Sequence, residues 1–458
     1  MFAPRGLGRR WSVLIVGDLV CLLVTGCATI FLLQRPPAIY PSRVSSASLA
    51  VTLASGFIVL VYFQDLYKID APRIASWLIT AVLTASIKYG LLLAIAAQCF
   101  VSLDYGRIFF LVYLSLSMCI LAAWRIVAYK CLFRQFSLGV VAWGLDETVQ
   151  VLVKEIDRLQ HLGYSFLGTV AFGNANGRFP VGACEAPLIA TNSVEDLLRK
   201  FPAQILVIFE PPESMAVGEL IQCRVNGIQV YDLESFFEHA CGKLPVPHVR
   251  ESWLLFSPGF ESRQWQRVVK RGADLVVASA LMIIALPLAI IVAAAIKMES
   301  AGGIFFSQER VGLNGRIFRL YKFRSMRSGP ANGGSDWTQE NDPRITGVGR
   351  VIRRLRLDEL PQLWNVLRGD MSLIGPRPEQ PALAAELDRL IPLYGYRHFV
   401  PPGLTGWAQV CFQYGASVSD AREKLAYDLY YIKNWSLILD LQILLQTTKV
   451  VLFGRGAR

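Results

Sequence analysis

Charged residues are scarce in this chain. They make up 18% of its 458 positions, whereas apolar residues make up 53% and the mean hydropathy is positive. This composition excludes an ordinary soluble protein, because a soluble core needs fewer apolar residues, and it indicates long lipid-facing segments. The length is that of about three domains. The sequence therefore predicts a membrane protein with soluble parts.

Ordered cysteine patterns are also lacking. The nine cysteines are scattered, and their spacing matches neither a zinc site nor a disulfide framework. A catalytic thiolate at Cys411 is the alternative, but a free cysteine is more often a small buried apolar residue. We interpret the cysteines as reduced core residues.

Four long apolar runs occupy the first part of the chain, and each is long enough to form a membrane-spanning helix. They cover residues 11–34, 45–63, 75–101 and 108–127. Basic residues follow the second and fourth runs, among them Arg125, so the positive-inside rule puts both ends of the region 1–134 in the cytoplasm. Asp18 lies within the first run. It is a functional candidate there, but the favoured interpretation is that it reaches the lipid head groups or pairs with a neighbouring helix.

Residues 137–257 have the pattern of a soluble α/β module. Short strands and one helix are predicted at 138–143, 147–159, 166–171 and 203–209. Gly144 follows the first strand at the place of a phosphate-binding turn, but the G-x-G-x-x-G spacing is missing. We interpret the module as Rossmann-like, with a regulatory or scaffolding role. Ligand binding by it and a homodimer through it are open hypotheses, and prolines predict a linker over 239–259.

The apolar run 273–296 is long enough to cross a membrane, yet it is flanked on both sides by basic residues that include Arg271 and Lys297. A crossing helix would leave one basic cluster outside, against the charge bias of membrane proteins. Pro287 near the middle kinks or breaks a helix, so the run is predicted to enter the membrane and turn back. A fifth spanning helix is the alternative. Both basic flanks then face one leaflet, which suits lipid phosphates and disfavours nucleic acid as a partner.

Two adjacent carboxylates, Asp358 and Glu359, follow an arginine-rich stretch. Arg353 and Arg354 precede Asp358 at helical spacing, which predicts guanidinium groups one turn before a carboxylate on one helix face. A nearby cation keeps an aspartate ionised at neutral pH, and an ionised aspartate can be a nucleophile or a metal ligand. Adjacent residues diverge by about 100° on a helix, so joint action requires a bend, for which Pro361 is the candidate. Taken alone, such a pair is more often a solvated surface feature.

Other basic residues are placed for phosphate binding. Arg377 stands between Pro376 and Pro378, which limit its backbone freedom and make it a candidate diphosphate ligand. A plain structural turn is the alternative. Lys322 and Arg324 alternate as on a strand, which would present two cations on one face.

The glycine-punctuated stretch 402–409 permits either a close approach to a nucleotide or a tight turn. Asp428 and Asp440 lie in an apolar, aromatic run, where a carboxylate needs an arginine or metal partner.

Together these motifs resemble the bacterial sugar transferase family, the monotopic phosphoglycosyl transferases. The resemblance covers about the last 190 residues and rests on an ordered set of motifs: KRGADLVV to LPLAII, FSQERVGLNGRIFRLYKFRSM, RLDELPQLWNVLRGDMSLIGPRPE, PGLTGWAQV and YDLYYIKNWSLILDL. The four spans and the Rossmann-like module look like the front of the large members that are associated with exopolysaccharide synthesis.

The resemblance implies a chain of three parts in the bacterial inner (cytoplasmic) membrane, with the catalytic domain on the cytoplasmic face. These are a membrane α-helical bundle of four spans (1–134), a Rossmann-like α/β module (137–257) and a small α/β catalytic domain (262–458) with a re-entrant membrane helix (273–296). Leu286 precedes the expected break at Pro287, where family members often carry serine. The hydroxyl that would bond a freed carbonyl is therefore absent.

The resemblance also implies transfer of a sugar 1-phosphate from a UDP-sugar to undecaprenyl phosphate, with release of UMP. Asp358 is expected to attack the sugar-bearing phosphate, giving an aspartyl phosphosugar intermediate, and Mg²⁺ on Asp358 is expected to offset diphosphate charge. Glu359 is expected to place or activate the lipid phosphate. The expected substrate-binding residues are Arg353, Arg377, Lys322, Asp428, Arg354 and Pro378.

Two other functions were weighed against this one. A CDP-alcohol phosphotransferase requires a D-x-x-D-G-x-x-A-R pattern, which the chain lacks. A membrane sensor whose soluble parts only bind nucleotide is the alternative from another class. No motif identifies the sugar.

Overall fold

The computed structural model describes residues 5–32, 56–58, 84, 88–89, 107–128, 138–143, 148–160, 164–172, 188–191, 203–209, 217–249, 251–260, 264–327, 344–412 and 417–453. The chain forms two compact units, Phe2–Ala240 and Cys241–Arg458. Each unit has its own buried core.

Two apolar helices of the first unit pack together, α1 (Arg5–Leu32) and α2 (Arg107–Val127). Arg125 Nε donates to Asp18 Oδ1 at 3.1 Å, and a second guanidinium nitrogen bonds Oδ2, with both side chains buried. The favoured interpretation of Asp18 is thus confirmed. The pair also removes Arg125 from the loop charges on which the predicted orientation rests.

The predicted first and fourth apolar runs correspond to α1 and α2. The second and third runs, 45–63 and 75–101, lie almost wholly outside the described residues. The four-span bundle therefore stays a prediction.

The other described residues of the first unit include a five-stranded parallel sheet with strand order β3-β2-β1-β4-β5. Its elements are β1 (Leu138–Trp143), α3 (Thr148–Leu159), β2 (Tyr164–Phe172), β3 (Leu188–Thr191), β4 (Ala203–Ile208), α4 (Val217–Val225), β5 (Gln229–Asp232) and α5 (Leu233–Cys241). Leu152 and Ile156 of α3 are fully buried, as a helix that covers a sheet requires. The prediction of a Rossmann-like α/β module is confirmed in its parallel sheet, whereas Gly144 lies outside the described residues.

The second unit begins with a segment that was predicted as a linker. Leu244 and Val246 are buried in the core of this unit, and the amide of Leu244 donates to the carbonyl of Ala426 at 3.0 Å. The indole of Trp407 donates to the carbonyl of Gly242 at 2.8 Å. Apolar side chains between the prolines thus bind this segment to the unit, which begins before residue 262, the predicted start of the catalytic domain.

The long helix α7 (Gln264–Glu299) follows the short α6 (Glu251–Phe256) and has 36 residues, so it is about 54 Å long. Within the described residues it is the one helix long and apolar enough to cross a membrane. Helix α7 continues through Pro287, and the predicted break there stays a prediction.

Residues of α7 on both sides of Pro287 pack against other elements of the second unit. Ala278 and Met282 join the core on one side of Pro287, and Val292 and Ile296 join it on the other. The face of α7 away from these contacts is exposed and apolar over residues 283–291.

The elements that follow α7 in the chain form the α/β part of the second unit. They are β6 (Phe305–Val311), β7 (Ile317–Phe323), α8 (Gly347–Arg354), α9 (Gln362–Arg368), β8 (Ser372–Ile374), α10 (Pro381–Leu390), β9 (Gly403–Thr405), α11 (Trp407–Cys411), α12 (Val418–Lys433) and α13 (Leu437–Phe453). Strands β6 and β7 are an antiparallel hairpin, and β8 pairs with β9 in parallel. Glu299, at the end of α7, accepts hydrogen bonds from the amides of Gly347 and Val348 and so caps α8.

Candidate active site

The two adjacent carboxylates lie on a 3₁₀ turn, Leu357–Glu359, and not on a continuous helix. Helix α8 ends at Arg354, and Arg356 takes the left-handed conformation with φ +58°. The prediction that Arg353, Arg354 and Asp358 share one helix face is therefore wrong. The bend lies at Arg356 and precedes Pro361, the predicted position.

A left-handed conformation costs a residue with a side chain about 1 kcal/mol, and such positions persist where the surroundings hold them. Arg356 Nη1 lies 3.7 Å from Glu359 Oε1. The strained turn thus directs an arginine toward a carboxylate, which a glycine would not do.

Glu359 is surrounded by cations. Its Oε1 accepts a hydrogen bond from Arg377 Nη2 at 2.9 Å and lies 3.6 Å from Lys322 Nζ. Burial alone would raise the pKa of this carboxyl, but Arg377, Lys322 and Arg356 together lower it to about 2. Glu359 is therefore ionised at any physiological pH.

The pKa of Asp358 is shifted in the opposite direction. It is 8% exposed, and in the described part of the chain its carboxylate accepts no hydrogen bond and forms no ion pair. Burial raises its pKa and the charge of Glu359 raises it further, against the opposing charges of Lys322 and Arg353. Asp358 is thus a buried carboxylate that is free to make a new contact.

Lys322 and Arg324 were predicted on one strand face, but the structure separates them. Strand β7 ends at Phe323, and the buried Arg324 donates to the carbonyls of Ser300 and Ala301, just past α7. Of these two cations, Lys322 is the one close to Glu359, with Nζ 3.6 Å from Oε1, and burial lowers the pKa of Lys322 against the opposing effect of Glu359. A strand that ends one residue earlier than expected is the reason for the difference.

Arg377 lies in the turn after β8, and glycines hold this turn against β9. A Cβ on Gly375 would come within 2.4 Å of the carbonyl oxygen of Pro401, and one on Gly403 within 2.1 Å of the Gly375 amide nitrogen. The amide of Gly403 donates to the carbonyl of Pro376 at 2.8 Å. Of the two interpretations of residues 402–409, the structure therefore supports a tightly packed turn.

Asp428 is connected to this turn through Arg397 and is 2% exposed, so it is not a surface ligand. Its Oδ2 accepts from Arg397 Nη2 at 2.8 Å, and the same nitrogen donates to the carbonyl of Arg377 at 3.0 Å. The prediction that Asp428 needs an arginine partner is confirmed. Burial raises the pKa of Asp428 to about 6, while Arg397 opposes the rise.

Arg397 was not among the residues singled out from the sequence. It lies on a 3₁₀ turn, Tyr394–Phe399, outside any periodic pattern. A lone basic residue in a run rich in aromatic side chains, YGYRHF, was the one available signal.

Known proteins with similar sequences identify the family of this chain. A family model described as bacterial sugar transferase matches residues 265–454. A relative from Caulobacter vibrioides, named UDP-glucose:undecaprenyl-phosphate glucose-1-phosphate transferase, is 44% identical over 272 residues, which cover 59% of this chain and 93% of the relative. The chain belongs to the bacterial sugar transferase family.

Two further relatives are longer proteins, and this chain matches about half of each. One from Aeromonas hydrophila, named UDP-N-acetylgalactosamine-undecaprenyl-phosphate N-acetylgalactosaminephosphotransferase, is 46% identical over 52% of this chain and 56% of its own length. One from Komagataeibacter xylinus, named undecaprenyl-phosphate glucose phosphotransferase, is 39% identical over 55% of this chain and 49% of its own length. The chain thus spans about half the length of these two relatives.

The remaining predicted substrate residues of the sugar transferase domain differ in their surroundings. Arg353 is half-buried and Arg354 is exposed, and neither has a side-chain partner among the described residues. Pro378 is buried, and its carbonyl accepts from Arg310 Nη1 at 3.1 Å. The two arginines are thus available to a ligand, whereas Pro378 shapes the turn.

The basic flank before the apolar run 273–296 was predicted to face lipid phosphates, but two of its members, which lie on α7, have structural partners in the sugar transferase domain. Lys270 Nζ lies 2.8 Å from Asp440 Oδ2, and Tyr431 donates to the same carboxylate. Arg271 donates to the carbonyls of Val366 and Leu367 at the end of α9. These cations therefore anchor the helix to its domain.

Asp358 was the predicted Mg²⁺ ligand. Across the described residues, no group of three or more His, Cys, Asp or Glu side chains is arranged to hold a metal ion. Mg²⁺ is commonly bound by one or two carboxylates together with substrate phosphates, and Asp358 offers one carboxylate without a hydrogen bond. The residues fit an ion shared with a substrate and do not form a cage of protein ligands.

Proposed function

We propose that this chain transfers a sugar 1-phosphate from a UDP-sugar to undecaprenyl phosphate and releases UMP. The observation that carries the proposal is the contrast between two neighbouring carboxylates: Glu359 is bound by cations, and Asp358 accepts no hydrogen bond from any residue that the structure describes. The names of the relatives, which are undecaprenyl-phosphate sugar phosphotransferases, agree with it.

In the first step, an oxygen of Asp358 attacks the phosphorus that carries the sugar. The new Asp–O–P bond forms as the bond from this phosphorus to the UMP oxygen breaks, and UMP leaves with the electron pair. The charges of Lys322, Arg353 and Arg356 already act on Asp358. They stabilise the charge that develops on the phosphoryl oxygens.

In the second step, a phosphate oxygen of undecaprenyl phosphate attacks the same phosphorus. The Asp–O–P bond breaks and Asp358 is released as a carboxylate. Glu359, with a pKa of about 2, is a poor proton acceptor, because a useful base has a pKa near the working pH. Its role is therefore to hold Arg377 and Lys322 in place for the lipid phosphate.

Asp358 would hold Mg²⁺ together with the diphosphate of the donor. When bound, the ion supplies charge neutralisation and polarises the phosphoryl oxygens. Lys322 and Arg377 share that work from the protein side.

The membrane arrangement follows from α7. Residues on both sides of Pro287 pack on the same unit, and a polar domain cannot lie on both sides of a bilayer. This supports a helix that enters the cytoplasmic leaflet and returns to the same face, with Pro287 as the proposed turning point. We propose that it follows a four-span region over 1–134 and a Rossmann-like module over 137–257, and that it opens the catalytic domain 262–458 on the cytoplasmic face.

The donor sugar stays open, because the relatives' names differ in it: N-acetylgalactosamine, glucose and galactose all occur. We propose a UDP-hexose, with or without an N-acetyl group. A panel of such donors identifies it.

The test is single-turnover chemistry with purified protein in detergent, UDP-hexoses and no lipid acceptor. The wild-type chain should release UMP and gain the mass of one phosphosugar, and Asp358→Asn should do neither. Asp388→Asn, which changes an exposed aspartate of α10, is the matched control and should behave as wild type. If no donor in the panel releases UMP or labels the protein, the covalent mechanism is wrong.

A further inference from the structure

The turn that carries Arg377 has its backbone carbonyls held by two arginines. Arg397 donates to the carbonyl of Arg377 at 3.0 Å, and Arg310 donates to that of Pro378 at 3.1 Å. The carbonyls on either side accept from backbone amides, in the pairs Pro376–Gly403 and Glu379–Val311. The backbone at Arg377 therefore cannot shift without breaking several hydrogen bonds.

Arg397 is itself held firmly. It is 4% exposed, and it donates to Tyr394 Oη at 2.6 Å and to Asp428 Oδ2 at 2.8 Å. Replacing a buried ion pair with apolar residues is often neutral or stabilising. Stability alone is thus a weak reason for such a pair. The two terminal nitrogens of Arg397 make three hydrogen bonds that specify one arrangement of the groups around it, while its buried Nε has no hydrogen-bond partner among the described residues.

The side chain of Arg377 depends on that arrangement. It is 35% exposed and reaches Glu359 Oε1 at 2.9 Å, so it spans from the fixed turn to the carboxylate. An arginine that binds a diphosphate must meet it at a defined angle, and small displacements of such groups are costly in rate.

We infer that Arg397, oriented by Asp428, is a positioning residue that fixes Arg377 and thereby the geometry of the diphosphate site. The inference rests on the proposed function and adds a residue to it. Arg397 acts through Arg377 and has no contact with the two carboxylates in the described structure.

A double-mutant cycle tests this dependence. Arg397→Lys keeps the charge but cannot bond three partners with one planar fork. In the wild-type background it should lower the rate of UMP release at least about tenfold, and in the Arg377→Ala background by less than about twofold. Asp428→Asn should show the same dependence, which keeps the test valid if Arg397→Lys does not fold.

A second measurement needs no activity. Hydrogen exchange at the Gly403 amide, which bonds Pro376, should become faster in Arg397→Lys and in Asp428→Asn. Arg324→Lys is the matched control, because Arg324 is also buried and bonds two carbonyls, but at the end of α7. It should change neither Gly403 exchange nor the rate in either background.

The outcomes are distinct. Equal losses in both backgrounds, or unchanged exchange at Gly403 in folded variants, would overturn the inference. If the wild-type chain releases no UMP from any donor, the proposed function fails, and the exchange measurement alone decides the positioning role.

Discussion

Arg377 Nη2 lies 2.9 Å from Glu359 Oε1, and this contact distinguishes Glu359 from its neighbouring carboxylate, Asp358. Glu359 is bound and strongly acidic, whereas Asp358 accepts no hydrogen bond within the described residues. Asp358, which is not held by a hydrogen bond in the described part of the chain, is the carboxylate expected to react.

The first prediction concerns the pH dependence of UMP release by Glu359→Gln. After burial, the charge of Glu359 is the main cause that raises the pKa of Asp358. Its removal lowers this pKa, so Asp358 stays ionised to lower pH. The acid limb of single-turnover UMP release should move to lower pH, and the phosphosugar enzyme should still form.

The matched control is Asp370→Asn, which removes a nearby carboxylate that pairs with Arg368 and is absent from the charges acting on Asp358. It should leave the acid limb in place. If the acid limb of Glu359→Gln stays at the same pH or moves to higher pH, the charge of Glu359 does not raise the pKa of Asp358.

The second prediction concerns Arg356→Gly. Glycine adopts φ +58° without the cost of about 1 kcal/mol that a side chain incurs, while the lost ion pair is partly exposed and worth little. The melting temperature should therefore not fall. The rate of UMP release should nonetheless drop by about tenfold, because a cation beside both carboxylates is lost.

Asn314→Gly is its control, since Asn314 also has a positive φ of 54° but lies in the β6–β7 hairpin turn. It should leave the rate unchanged. Full activity of Arg356→Gly would show that the side chain of Arg356 does not contribute to the rate of UMP release.

The third prediction concerns Gly403→Ala. The added Cβ would lie 2.1 Å from the Gly375 amide nitrogen, a backbone atom that cannot move alone. The variant should lose about 1–3 kcal/mol of unfolding free energy, as overpacked sites do, and activity should fall with the displacement of Arg377. Thermal unfolding and UMP release measure both.

Gly272→Ala provides the comparison, because a Cβ there meets nothing within 4 Å and alanine favours a helix. It should not lower the melting temperature. Equal effects of the two substitutions would rule out a special role for the contact between β8 and β9.

The fourth prediction concerns the pair between α1 and α2. Asp18→Asn removes the carboxylate that pairs with the buried Arg125, and such losses cost about 3–5 kcal/mol. The double variant Asp18→Asn with Arg125→Gln should unfold at a higher temperature than Asp18→Asn alone. A double variant that is less stable than the single one would indicate that Arg125 has another essential partner.

Sequence patterns gave the strand at 138–143 with its observed bounds, because a buried parallel strand is a continuous apolar run bounded by polar residues. Asp358, Glu359 and Arg377 could be found because they belong to an ordered set of motifs. The contact between Arg377 and Glu359 agrees with their predicted shared site.

Other features were invisible in the sequence for physical reasons. The left-handed Arg356 could not be predicted, since a positive φ is signalled by glycine or asparagine and seldom by arginine. Arg397 is 20 residues from Arg377 and 31 from Asp428 along the chain, so no local pattern joins them. The two members of the basic flank, Lys270 and Arg271, were assigned to lipid because charge counts do not show which side chains find protein partners.

The cap that Glu299 places on α8 connects the membrane helix to the arginine-rich helix. Glu299 is the last residue of α7, the helix that we place in the lipid, and it accepts hydrogen bonds from two amides at the start of α8. Arg353 lies near the other end of this eight-residue helix. We expect a change in the depth of α7 in the bilayer to shift α8 and Arg353 with it. The rate of UMP release should therefore depend on the thickness of the leaflet.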